Sequence, residues 1–169
     1  TNRFEATRDK IQKYLNAKHR EEIIFTKGAT EAINLVASSY GKKYIKKGDE
    51  VIITELEHHS NYVPWNYLRT DKGAVIKFAR VNEGGEVEIE EIKKLITNKT
   101  KMIAITHISN VTGAVLPITK IVDLANEKNI PVLIDGTQGA PHSKIDMQKI
   151  GCDFYAISCH KMYGPNGLG

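Results

Sequence analysis

At 169 residues the chain has room for one domain and too little for two comfortable ones, and a composition of 41% hydrophobic and 26% charged residues excludes disorder and collagen-like structure. No apolar run approaches the ~18 residues of a membrane-spanning helix. The formal charge of +4 is scattered over lysine pairs such as Lys42-Lys43, Lys46-Lys47 and Lys93-Lys94, which is a solvated surface and not a stripe for nucleic acid. Two cysteines, Cys152 and Cys159, are too few for a secreted disulfide framework, so a reducing cytoplasm is the expected compartment, with neither membrane nor nucleic acid as partner.

Taken in chain order, helix and strand signals alternate. Arg3 to Ala17 carries Phe4, Ile11, Tyr14 and Leu15 at helical spacing. Ile23 to Thr26 is a short β-branched and aromatic run that predicts a strand, and Gly28-Ala29-Thr30-Glu31 opens a second helix with Ile33, Val36 and Ala37 on one face. Lys47-Gly48-Asp49 is a turn before a buried strand over 51–54. A third helix is predicted over 61–69, ending near Gly73, then a strand over 75–81 and a turn at Gly84-Gly85. Ile89 to Leu95 runs from acidic to basic, as the helix dipole favours. Strands follow over 102–106, 131–135 and 154–158, with a helix over 118–128 between the first two. Six short strands, several of them continuous apolar runs, predict an α/β fold with a mostly parallel sheet covered by helices on both faces.

In such sheets ligands collect at the carboxyl ends of the strands. Those ends carry, in turn, Gly28-Ala29-Thr30; Glu57-His58-His59; His107 and Asn110; Asp135 and Gln138; and Ser158, His160 and Lys161. Five ends thus deliver complementary polar groups to one edge. A glycine turn opening a helix offers unpaired N–H groups and a hydroxyl to a phosphate, or is a plain N-cap. A strand-terminal Asp135 can hold a ring nitrogen protonated, or cap a turn. Lys161 can form a Schiff base. His58-His59 reads equally as a metal pair or as one core and one surface histidine. Together the set matches what pyridoxal 5′-phosphate requires: an imine lysine, a pyridinium partner and a phosphate cup. A metal protein built on His58, His59, His107 and His160 is the weaker competitor, because the acids and thiols lack zinc spacing.

Five blocks carry a family resemblance. They are Phe25 to Val36, Glu57 to Asn61 with Val63-Pro64-Trp65, Thr106 to Val111, Ile134 to Gln138, and Asp153 to Pro165. In order and with compatible spacing they resemble the SufS-type cysteine desulfurases, of the class V aminotransferase group and fold type I of the pyridoxal phosphate enzymes. The resemblance implies that Lys161 is the Schiff-base lysine and that His58 stacks on the pyridine ring and assists proton transfer. It implies Asp135 on the ring nitrogen, Gln138 on the phenolic oxygen, and Thr30, Ser158, His160 and the Ala29 N–H on the phosphate. Asn110 would orient the substrate carboxylate, and no metal is implied. Cys159 stands where the family usually has glycine.

The activity so implied is removal of sulfur from L-cysteine, giving L-alanine and an enzyme persulfide for iron–sulfur cluster assembly, in a homodimer served by a sulfur-acceptor protein. The persulfide cysteine and the carboxylate-binding arginine of the family lie beyond Gly169, so neither Cys152 nor Cys159 is expected to be the nucleophile. With no initiator Met and an end inside the loop Tyr163 to Gly169, the chain reads as the central part of the cofactor-binding large domain, residues 1–169, without the small domain. A selenocysteine lyase, another class V enzyme, and a catalytically inert fragment are the alternatives.

Overall fold

A computed structural model describes residues 2–169. Five strands form one sheet: β1 (Glu50–Thr54), β2 (Val75–Ala79), β3 (Thr100–Thr106), β4 (Val132–Asp135) and β5 (Phe154–Ala156), in the order β2-β1-β3-β4-β5. Each neighbouring pair is parallel, so all carboxyl ends share one edge. The crossover direction reverses between β1 and β3, which makes that junction the topological switch point.

The apolar runs explain why both faces are covered. Side chains alternate across a strand, so Ile52, Ile103, Ile105, Val132 and Ile134 fall into one buried cluster while Val51, Ile53, Met102, Ala104 and Leu133 fall into the other. The first cluster is closed by α1 (Asn2–Leu15), through Leu15, and by further helices named below. The second is closed by α2 (Ala29–Val36), which continues through a π-type turn over Ala37–Gly41 into α3 (Lys42–Tyr44), and by α4 (Val63–Lys72). Trp65 and Ile33 are fully buried there, each removing apolar surface worth roughly 2 kcal/mol or more from water. On the opposite face α5 (Ile89–Leu95) contributes Ile92, and α6 (Ile118–Asn126) contributes Ile121, Val122 and Ala125. Two short helices, α7 (Gly139–His142) and α8 (Met147–Ile150), lie between β4 and β5. Their brevity leaves no periodicity to read from sequence.

The expected α/β architecture with helices on both faces holds, with corrections in detail. Ile23 to Thr26 is extended but joins no sheet. Its backbone groups pair elsewhere: Thr26 and Gly169 exchange two hydrogen bonds of 2.8 Å, and Arg8 donates to the Ile23 carbonyl. A β-branched composition favours extended backbone, whereas strand identity needs a ladder partner. The strand expected over 75–81 stops at Ala79, and that expected over 154–158 stops at Ala156. The third helix starts later and runs further than expected: a 3₁₀ turn over His59–Asn61 precedes α4, and Gly73 ends it.

Candidate active site

The carboxyl edge of the sheet gathers four strand ends and one helix start. Register sets Thr106 beside Asp135 and Asp135 beside Ala156. The Asp135 side chain is buried, its Oδ1 accepts the Thr137 N–H at 3.0 Å, and no donor among the described residues reaches Oδ2. The carboxylate is therefore anchored on one oxygen and open on the other. Gln138 follows in the same turn, half-buried.

Beyond β5, Ser158 is buried and Cys159–Lys161 form a 3₁₀ turn that leaves Lys161 half-buried and His160 exposed. The turn is cross-braced: the Cys159 N–H donates to Leu168 and the Gly164 N–H donates back to the Cys159 carbonyl, at 2.9 and 2.8 Å.

The helix start at Ala29 does not leave a strand, contrary to the expectation that five strand ends meet. It is recruited instead by a side chain: the Ala29 N–H donates to Ser158 Oγ at 2.9 Å. Gly28 adopts φ +150°, open to glycine and strained for other residues, and a Cβ there would sit 3.5 Å from the same Ser158 oxygen. Since Ser158 accepts from Ala29, its own proton remains free to point outward. The Ser158 hydroxyl, set by Ala29 beside the bare Gly28, is thus the outward donor at this helix start, with Thr30 exposed in the first turn of α2.

His58 precedes the 3₁₀ turn over His59–Asn61 and is exposed. Its Nδ1 lies 3.2 Å from the Ser60 N–H and 2.7 Å from Ser60 Oγ. A backbone N–H can only donate, so Nδ1 carries the lone pair and Nε2 the proton. α2 packs against this turn. Asn110 is exposed in the loop after β3, which is folded back by an isolated bridge between Ile108 and Val115.

Two buried polar clusters beneath this edge are not legible as such in the sequence. The first is the carboxyl of Glu57. It accepts from Thr54 Oγ1 and Asn61 Nδ2, both at 2.6 Å, and from the Thr106 N–H at 3.0 Å. Burial, with Asp135 adding to it, pushes Glu57 up to about 7 despite those three donors. The second is His107, whose Nδ1 lies 2.8 Å from the Tyr155 hydroxyl. Burial holds His107 below its ordinary value and Tyr155 well above its own. Space for the pair is made by glycine, since a Cβ at Gly136 would overlap the Tyr155 ring and one at Gly139 the His107 ring. The signal available in sequence was a histidine directly after an apolar strand and an acid three residues beyond another.

Neither thiol has the environment of a nucleophile. Burial, then Asp153, pushes Cys152 up to about 12, and burial raises Cys159 as well. Among the described residues no three His, Cys, Asp or Glu side chains come together as a metal-binding group. The donor set fits a phosphorylated aromatic cofactor: an open, anchored carboxylate at the end of β4, the Ser158 hydroxyl held at a helix start, a lysine three residues beyond that serine in the turn after β5, and a buried Thr137 Oγ1 left without a partner.

All of residues 1–169 match the profile described as aminotransferase class-V. The chain is 47% identical over its whole length to a probable cysteine desulfurase of Halalkalibacterium halodurans and to a cysteine desulfurase of Yersinia pseudotuberculosis, spanning 42% of each. It superposes on the crystal structure of the cysteine desulfurase CsdA (S-sulfonic acid) from Escherichia coli with a TM-score of 0.96 at 38% identity, covering 99% of this chain and 42% of that one. The apo cysteine desulfurase of Thermococcus onnurineus gives a TM-score of 0.93 at 32% identity, with 99% and 42% covered. With the profile matched from end to end, the chain belongs to the class V aminotransferase family.

Proposed function

We propose that this chain is the central part of the pyridoxal phosphate-binding large domain of a cysteine desulfurase, acting on L-cysteine and releasing L-alanine. The observation that carries this reading is the meeting, at one sheet edge, of the open Asp135 carboxylate, the Lys161 turn and the Ala29–Ser158 donor cup. The names of relatives at 47% identity support the choice of substrate. Relatives of this kind also support a cytoplasmic homodimer that hands its sulfur to an acceptor protein for iron–sulfur clusters.

Bound pyridoxal phosphate would supply an electron sink for the α-carbon of the substrate. The chain's own residues would do the rest. Asp135 would accept the ring N–H on its open oxygen, and Gln138 would donate its amide to the phenolic oxygen. Ser158, Thr30 and His160 would hold the phosphate, with Ala29 directing the Ser158 hydroxyl through its own N–H. Asn110 would orient the substrate carboxylate. Lys161 would anchor the cofactor and move a proton at the substrate α-carbon, with the His58 ring on the cofactor's face and its Nε2 proton at hand. The persulfide would form on a cysteine outside this chain, because both thiols present are held protonated.

The test is made on the complete protein. Added pyridoxal phosphate should give an imine absorbance that borohydride fixes to a peptide containing Lys161, and cysteine, with an added dithiol reductant to free the persulfide sulfur, should yield sulfide and alanine in equal amounts. An adduct that persists in Lys161→Ala defeats the cofactor assignment. Transamination without sulfide, or selenide release from selenocysteine with none of sulfide from cysteine, defeats the substrate assignment.

A further inference from the structure

We propose that Glu57 is the positioning residue of this site, its carboxylate tying the turn that carries His58 to the end of β3 at the switch point. The inference deepens the reading above, since it takes His58 as a group that faces the cofactor.

Glu57 reaches three elements at once. Thr54 closes β1, Thr106 closes β3, and Asn61 belongs to the turn immediately after His58. With Glu57 on one side and Asn61 on the other, His58 is bracketed by two ends of one hydrogen bond of 2.6 Å. Directions in this cluster are determined and not free. The Trp65 indole N–H donates to Asn61 Oδ1 at 3.1 Å, which leaves the Asn61 NH₂ facing Glu57. The Leu56 N–H donates to Thr54 Oγ1 at 3.1 Å, which directs the Thr54 hydroxyl proton toward Glu57. The third partner is a backbone N–H and cannot reverse.

Three donors therefore converge on one carboxyl and ask for an acceptor on both oxygens. An amide at position 57 would set an NH₂ against one of them. Trp65 and Asn61 are both fully buried, so a broken bond cannot be replaced by water at no cost. The titratable groups on the elements packed around Glu57 are few. Asp135 ends β4, His107 follows β3, and His58 and His59 lie on its own turn. Glu31, at the start of α2, is engaged by the Lys27 N–H. Of these, Asp135 acts on Glu57 directly.

The experiment is a double-mutant cycle on the complete protein, with pyridoxal phosphate affinity and the visible circular dichroism of the bound cofactor as readouts. Glu57→Gln is expected to weaken binding about tenfold, the loss of one buried charged hydrogen bond of roughly 1.4 kcal/mol, and to change the dichroic band as His58→Ala does. The double variant should be no worse than His58→Ala, and Glu57→Asp should recover part of the signal. Hydrogen exchange without cofactor should quicken in the 56–62 peptide of Glu57→Gln alone. If Glu57→Gln does not fold, Thr54→Val removes one donor, keeps the carboxylate, and gives the same cycle with a smaller step. Additive losses, or wild-type exchange in the turn of Glu57→Gln, overturn the positioning role. A wild-type protein that takes up no pyridoxal phosphate overturns the functional reading instead, while the exchange result still decides whether Glu57 holds the turn.

Discussion

The Tyr155 hydroxyl and His107 Nδ1 stand 2.8 Å apart beneath the loop of Asp135, in room that only glycine at 136 and 139 leaves open. The pair belongs to the support of the site. β5 supplies the tyrosine, the end of β3 supplies the histidine, and β4 with Asp135 runs between them. Two strands that are not neighbours are thereby locked across the one that carries the open carboxylate.

Tyr155→Phe removes a hydroxyl and leaves a buried imidazole nitrogen without its partner. The expected cost is about 1–3 kcal/mol of stability, read as a lower urea midpoint at unchanged slope. Gly139→Ala should cost more, because the His107 ring and not a flexible chain end stands in the way. A Tyr155→Phe protein as stable as wild type removes this pair from the account.

Two buried acids at opposite edges of the sheet make opposite predictions for pH. Glu57 loses its proton near 7 in the folded chain, against an ordinary value of 4.5. Between those values the folded state binds more protons than the unfolded one, so stability from this group falls as pH rises through the window and levels off above it. The stability difference between wild type and Glu57→Gln should therefore shift against wild type from pH 4.5 to 7. A difference that stays flat across that range contradicts the burial of Glu57.

Glu50 opens β1 at the far edge. Burial pushes its carboxyl up, but Lys77 at 2.8 Å, with Thr97 and Thr100, outweighs burial and leaves it below its ordinary value. Here the ionised form is favoured by folding, so the contribution is present above the unfolded value and is lost as pH falls through the folded one. Glu50→Gln should lower stability at neutral pH and narrow its difference from wild type in acid, followed by thermal melts over that range.

Thiol chemistry separates the resident cysteines from the missing nucleophile. With Cys152 at about 12, its thiolate is scarce at pH 8, and a maleimide should label it on the order of a hundredfold or more slowly than in urea. Cys152→Ala in the complete protein should still release sulfide from cysteine in the presence of a dithiol reductant. Loss of sulfide release with the fold intact points to Cys152 as the acceptor thiol and overturns its assignment as a packing residue.

Much of this architecture was legible along the chain. The runs at 51–54, 102–106 and 132–135 are apolar at every position or nearly so, which is how a strand buried on both faces must read. The blocks around Ala29, His58, Asp135 and Lys161 could be named as site candidates because each follows an apolar element with a polar turn. Other features were not legible. Ile23 to Thr26 has strand composition, yet its fate depended on whether another backbone lay beside it. Glu57 read as a strand-end acid beside His58 and His59, with no sign of the three donors that enclose it.

Local patterning by itself determined the longer helices and the five strands that pair, and which faces they bury, because period and apolarity are properties of neighbouring residues. It also determined that chemistry-bearing turns follow the strands. Tertiary structure alone decided the partners: that Ala29 meets Ser158 across more than a hundred residues, that Glu57 is enclosed by donors from β1, β3 and the His58 turn, and that His107 meets Tyr155. Those bonds depend on strand order and register, and the resulting loss of solvent is what moves a surface-looking glutamate to a neutral titration.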